Sequence, residues 1–535
     1  MTVLHSEHLV IGAGLAGLCA ALELLEHDKP VLLLDCAAHS DWGGQANDAF
    51  GGMLFSETPE QQRMGISDNP ELFYRDWLSA AQFPHSETWG PRWAKAYVEH
   101  NRRDVYDWLK QHGIRFVPAV QWVERGNYGD GNSLPRYHIA WGCGRGIAQR
   151  LLAALRTHRN ANRLTCLPEH AVEHLDSSAG RITGCRGKGP NGAFTVHAEH
   201  TLLCTGGING SFSEVAKHWD TDTYGQYPSN LLAGTYPRAD GALHNAAQAV
   251  GAQVANLGWM WNYAAGIAHP QPAYPAQGLS LIPPRSALWL APDGSRIGPM
   301  PLVSGFDTHD LCKRIGHLPG QYGWLLLNAR IANRELAISG TDSNPAFRDR
   351  NIPALLWQLL RGNRQQTHWL LQHCDDVLHH HDLAGLCAQM RTLAADQRLD
   401  PECVKRAVNS YDQQIARGPT QHNDDQLRRI AQLRQWRSER LRTCHFQAIN
   451  DAKAGPLIAI RTRLISRKSM GGMRTDLLSR VLDPHDQPLA GLYACGEAAG
   501  FGGGGISGIR SLEGTFLSNC IFTARRAVQG IVSGA

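Results

Sequence analysis

Apolar and polar positions alternate most informatively at the start of the chain. The run His8–Ile11 ("HLVI") reads as a buried strand, and Gly12, Gly14 and Gly17 follow it. Apolar residues then recur at the 3.6-residue period of a helix, and a second apolar run, "VLLL", stops on Asp35. Two later runs have the same strand-then-glycine form, "TLLCTGGINGS" (Thr201 to Ser211) and "GLYACGEAAG" (Gly491 to Gly500). A helical pattern, "LEGTFLSNCIFTARRAV", closes the chain, while Asp382 to Arg417 and Asp424 to Arg442 are charged and helical in period, as solvated helix faces are. Strands alternating with helices predict an α/β fold.

The first pattern carries chemistry. Strand, G-x-G-x-x-G, helix, strand and terminal acid together form the dinucleotide fingerprint. Its glycines permit a tight turn and a close approach to pyrophosphate, the helix N-terminus faces the phosphates, and Asp35 accepts from a ribose hydroxyl. Composition narrows the rest. The chain has 535 residues, 43% hydrophobic and 19% charged, which is too long for one core. A net charge of +4 without basic and aromatic interleaving gives nucleic-acid binding no support. Thirteen cysteines are scattered with no CxxC pair, so reduced thiols and a cytoplasmic location are expected. No signal-peptide pattern opens the sequence, and no apolar run reaches the roughly 18 residues of a membrane span. The run "LHHHD" (Leu378 to Asp382) suggests a metal only superficially, because three consecutive histidines do not converge from one helix face. No metal is expected.

Further glycine segments, "WGGQANDAFGGM" (Trp42 to Met53) and "FGGGGISGIRS" (Phe501 to Ser511), suit a long cofactor held from many points of the chain. With these segments in place, the sequence resembles the fumarate reductase and 3-ketosteroid dehydrogenase family of FAD-dependent oxidoreductases over nearly its whole length. The resemblance implies a Rossmann-like FAD-binding domain of glutathione reductase type with an inserted α+β substrate-capping domain. FAD motifs occur up to about residue 257 and again from about 455, so the expected units are residues 1–257, 258–454 and 455–535. FAD is expected to be noncovalent, held by Gly12, Gly14, Ala16, Gly17, Asp35 and Cys36 at the fingerprint and by Gly43, Gly44, Gln45, Gly51 and Gly52 beyond it. Thr205, Gly206, Gly207 and Asp240 add to this, as do Gly496, Glu497 (at the ribityl region), Gly503, Gly504, Gly505 and Ile506 (at the flavin ring).

Candidate catalytic residues follow from the same resemblance. Arg510 stands where fumarate reductases carry a carboxylate-gripping arginine, with pairing to Glu513 as its structural alternative. Tyr137 and His138, in "PRYHIAWGCGRG", belong to a segment placed near the ring. Departures matter as much as matches. The family's "HTMGG" is "KSMGG" here, which puts Lys468 in place of a histidine, Tyr263 replaces a second histidine, and His309 replaces an arginine proton donor. A four-carbon dicarboxylate therefore fits poorly, and the aromatic "WMWNY" and "ALWLA" segments favour a larger apolar ketone or enone. The expected activity is introduction or reduction of a C=C bond beside a carbonyl, with an unidentified electron donor or acceptor. A fumarate reductase or aspartate oxidase-like enzyme acting on a small carboxylic acid is the alternative.

Overall fold

A computed structural model describes residues 2–127, 129–298, 300–395 and 397–534. The fingerprint strand Thr2–Ile11 lies inside an eight-stranded sheet, paired in parallel with Val31–Leu34 on one side and Gly192–Leu203 on the other. Leu164–Leu167 extends the parallel set beyond Val31–Leu34, and Pro488–Ala494 extends it beyond Gly192–Leu203. Val31–Leu34 is buried at every position, which is why it reads as an unbroken apolar run.

Glycine decides how the first helix seats. A Cβ on Gly17 would lie 1.8 Å from the Gly12 carbonyl oxygen, and one on Gly12 (φ +102°) would lie 2.4 Å from that of Cys204. Only with both glycines does the helix Leu15–Glu26 close onto its strand. Its N-cap, Gly14, brings no side-chain cap, and the first turn holds no acid. The C-terminal helix Phe516–Ser533 packs beside it in the largest core.

The second large sheet also has eight strands and centres on Leu457–Ser469. That strand pairs antiparallel with Met260–Ala268 and with Tyr322–Asn328. Its residues lie beyond 454, so the sheet built from the middle of the chain takes its central strand from the C-terminal part. The charged middle segments are helical, as Leu383–Ala394, Pro401–Ala416, Asp425–Leu433 and Arg437–Arg442. Asp382, Asp400 and Asp424 cap the first three of these helices by accepting backbone N–H bonds. The histidine run is extended, not helical: Val377–His380 is a strand paired to Leu457–Ser469, so neighbouring side chains point to opposite faces. Among the described residues no helix is long and apolar enough to cross a membrane.

Candidate active site

A cavity of about 1060 Å³ runs between the two sheets, from the carboxyl ends of the parallel strands to the wall formed by Met260–Ala268. At its first end, Asp35 accepts from the backbone N–H groups of Ala13 (2.5 Å) and Ala37 (2.7 Å). The acid therefore shapes the glycine turn as well as facing the cavity. Gly12, Gly14, Ala16 and Cys36 line this end, and the uncapped helix N-terminus opens on it. An uncapped helix start beside close-packed glycines is an anion cradle. Gly17 lies behind it, against the strand.

The neighbouring wall comes from Gly43, bridged to Gly14, and from Gly44, Gln45, Gly51 and Gly52. Gln45 is committed to protein contacts, donating to the Gly234 carbonyl and accepting from Thr235 Oγ1 and the Tyr236 N–H. Gly52 makes room for a neighbour, since a Cβ there would lie 1.9 Å from the Tyr137 hydroxyl. Thr205, Gly206, Gly207, Asp240 and Glu497 line the opposite wall. Glu497 accepts from the Ser469 N–H at 2.9 Å, and burial pushes its carboxyl up to about 7. Burial pulls the neighbouring Lys468 ammonium down to about 8, against the attraction of Glu513.

A polar constellation stands at the far end. The Tyr263 hydroxyl donates to Glu513 Oε2 at 2.7 Å, and Trp261 Nε1 donates to the same oxygen at 2.8 Å. With its hydrogen committed to Glu513, the Tyr263 oxygen keeps its lone pairs as acceptors. Burial holds the phenols of both Tyr263 and Tyr137 far above their usual range, and the Glu513 charge adds to this. Both rings line the cavity, as does Glu124, which burial pushes up to about 7 and which accepts from the Thr308 N–H and hydroxyl. Arg442 also reaches the lining, and burial lowers its guanidinium.

Other expected site residues lie elsewhere. Arg510 does not project into the cavity: it is ion-paired with Asp307, with Asp130 3.9 Å away. Asp307 caps the helix Thr308–Gly316 by accepting from the Asp310 N–H, so the pair ties the loop to that helix. The loop glycines Gly503, Gly504 and Gly505 are outside the cavity lining; all three have positive φ, and added Cβ atoms would meet Trp93 at 2.7 Å, Gly472 O at 3.1 Å and Trp259 at 2.8 Å. Ile506 is fully buried, with its carbonyl accepting from Trp77 Nε1. Gly496 sits behind the wall against Ala16 and Cys520. His138 is fully buried, bonded to Thr58 Oγ1 and the Arg136 carbonyl, and burial lowers it to about 4. His309, lowered to about 4 by burial, packs edge-on against Tyr224 outside the cavity lining.

Sequence reasoning weighed Glu513 only as a partner for Arg510 and passed over Glu124. The available signal was that Glu513 is the lone acid in the glycine-rich stretch from Phe501 to Ile521.

The chain matches the family described as "FAD binding domain" over residues 7–517. It is 39% identical to a KsdD-like steroid dehydrogenase of Mycobacterium tuberculosis over 551 aligned positions, covering 98% of this chain and 96% of the relative. A KsdD-like steroid dehydrogenase of Mycolicibacterium smegmatis is 38% identical over 529 positions, covering 95% of each chain. In fold, the chain is similar to the 3-ketosteroid Δ1-dehydrogenase of Sterolibacterium denitrificans, with a TM-score of 0.71 at 15% identity over 99% of this chain and 100% of the other. It is likewise similar to an open flavocytochrome c3 fumarate reductase, with a TM-score of 0.67 at 18% identity over 98% and 77%. A glycine-built anion cradle opening on a cavity between two sheets, in a chain matched almost from end to end, places this protein in the FAD-binding flavoenzyme family.

Proposed function

We propose that this protein is an FAD-dependent oxidoreductase that introduces or reduces a C=C bond beside the carbonyl of an apolar cyclic ketone of steroid class. The observation that carries the reading is the pair of phenols, Tyr137 and Tyr263, facing one cavity with Tyr263 bonded to Glu513. Whole-length similarity to the KsdD-like steroid dehydrogenases supports the substrate class.

Noncovalent FAD fits the cradle at Gly12, Gly14 and Asp35, with Glu497 further along. When bound, the flavin ring supplies a hydride acceptor or donor. The chain's own residues do the rest. In dehydrogenation the Tyr263 oxygen takes the proton from the α-carbon while its own hydroxyl proton passes to Glu513. Tyr137, kept neutral by burial, donates to the ketone oxygen and stabilises the enolate. Enone reduction is the same path reversed. The parallel sheet is read as a Rossmann-like FAD-binding domain of glutathione reductase type. The antiparallel sheet is its substrate cap, inserted after about residue 257 and completed by the strand Leu457–Ser469. All thirteen cysteines are free thiols, which suits the cytoplasm.

Anaerobic mixing of the oxidised holoprotein with 4-androstene-3,17-dione tests this. Flavin bleaching with a product lighter by a pair of hydrogens is expected. A flavin that no cyclic ketone bleaches, but that fumarate readily reoxidises after photoreduction, would overturn it.

A further inference from the structure

The helix Ile352–Arg361, "IPALLWQLLR", has no buried residue. Ile352, Leu356, Trp357 and Leu360 are 53%, 55%, 62% and 69% exposed, and the three aliphatic residues, spaced four apart, share one face. A globular surface helix turns such a stripe inward. Here it faces outward. The neighbouring helix Arg437–Arg442 touches it and adds the exposed Leu441.

The rim of this patch is cationic. From Asp342 to His373 the chain carries Arg348, Arg350, Arg361 and Arg364 against two carboxylates, Asp342 and Asp349, both of which are paired with Arg348, which leaves Arg350, Arg361 and Arg364 for the rim. The Arg361 guanidinium lies 5.2 Å over the Trp357 ring. Arg437 and Arg440 are exposed on the neighbouring helix, whose acid, Glu439, is buried and paired with Arg285. An exposed indole and aliphatic stripe edged by arginines matches the hydrocarbon boundary and anionic headgroups of a lipid surface.

We infer that this face docks the enzyme on an anionic lipid bilayer, with the apolar side chains of Ile352–Arg361 in the headgroup boundary and the arginines on anionic lipid. The placement has a use. Glu439 and Arg442, on the helix that touches the patch, line the active-site cavity, so the docked face borders the space that an apolar ketone must enter. That use rests on the proposed substrate class, whereas docking rests on the patch alone.

The test is flotation of the full-length holoprotein with phosphatidylcholine vesicles that contain phosphatidylglycerol, and with phosphatidylcholine alone. The wild type should float with the anionic vesicles, less so at high salt, and weakly with the neutral ones. Replacing Leu356, Trp357 and Leu360 together by Ser should lower binding by about tenfold or more. Arg361→Glu with Arg364→Glu should remove the preference for phosphatidylglycerol. Both variants should keep their flavin and turn over a dispersed ketone, since the altered side chains are exposed. The inference is overturned if the wild type floats with neither vesicle, or if the triple-Ser variant floats like wild type. A wild-type dimer by light scattering that the triple-Ser variant converts to monomer would also overturn it, assigning the face to a second copy. Flotation needs no turnover, so an error in the substrate class leaves this result readable.

Discussion

Glu513→Gln separates a proton path from mere packing. In the wild-type site one carboxylate oxygen accepts from Tyr263 at 2.7 Å and from Trp261 at 2.8 Å. A glutamine oxygen in the same place keeps the volume and both bonds, but not the charge or the proton affinity. Charge-assisted bonds contribute about 1.5–3 kcal/mol and neutral ones about 0.5–1.5, so the folded state loses about 1 kcal/mol per bond. Part of this is offset because no charge remains desolvated. Turnover should suffer more. General acid–base assistance is worth about 10²–10⁴-fold, which is about 2.7–5.5 kcal/mol of barrier. Tyr263→Phe should fall in the same range, and the double variant should be no worse than the poorer single one, because the two groups act as a unit. The assay is anaerobic stopped-flow bleaching of the flavin at saturating ketosteroid, with flavin content read beforehand from absorbance. A Glu513→Gln protein with full flavin and a rate within about threefold of wild type would refute the relay, as would losses that multiply in the double variant.

Three further outcomes are expected. Arg510→Ala should leave flavin content and bleaching rate unchanged but lower stability to denaturant by about 3 kcal/mol, because Asp307 loses its partner while it remains buried. Asp35→Ala should weaken FAD binding by about 1.5–3 kcal/mol in equilibrium dialysis, since it removes a ribose acceptor and frees the Ala13 and Ala37 amides. For His138, burial lowers the folded value from 6.5 to about 4, so the unfolded chain binds the extra proton between them. Its contribution is present above 6.5 and declines as pH falls toward 4, and the stability advantage of wild type over His138→Asn should shrink by about 1.4 kcal/mol per pH unit in that window. A pH-independent gap in thermal unfolding would refute it.

The sequence by itself determined the features whose cause is local. The fingerprint is legible because strand, turn, helix and acid follow within Thr2 to Asp35, and Gly17 is required by the Gly12 carbonyl one turn away, whereas the Cys204 carbonyl that requires Gly12 comes from chain far off in sequence. The aspartates that start the middle helices are legible for the same reason, since a cap bonds to N–H groups two or three residues on. Tyr137 and Tyr263 could be singled out as candidates, but not their relation. Glu513 joins Trp261 and Tyr263 across 252 and 250 residues, a pairing no local pattern encodes.

Tertiary structure alone decided the rest. The run Gly503, Gly504 and Gly505 marks a place where the backbone takes positive φ or has a close neighbour, and that the neighbours are Trp93, the Gly472 backbone and Trp259 depends on chain far away. Arg510 and Glu513 are three residues apart, yet one turns to Asp307 and the other to the cavity, because the intervening backbone is turn and extended chain rather than a helix face. The strand Leu457–Ser469 reads as part of the C-terminal unit by sequence order, but it completes the other sheet because strand pairing is satisfied in space, by Met260–Ala268 and Tyr322–Asn328. Periodicity shows that a strand exists and which residues alternate, whereas its partners are set by where the remaining unpaired N–H and C=O groups lie once the cores have packed.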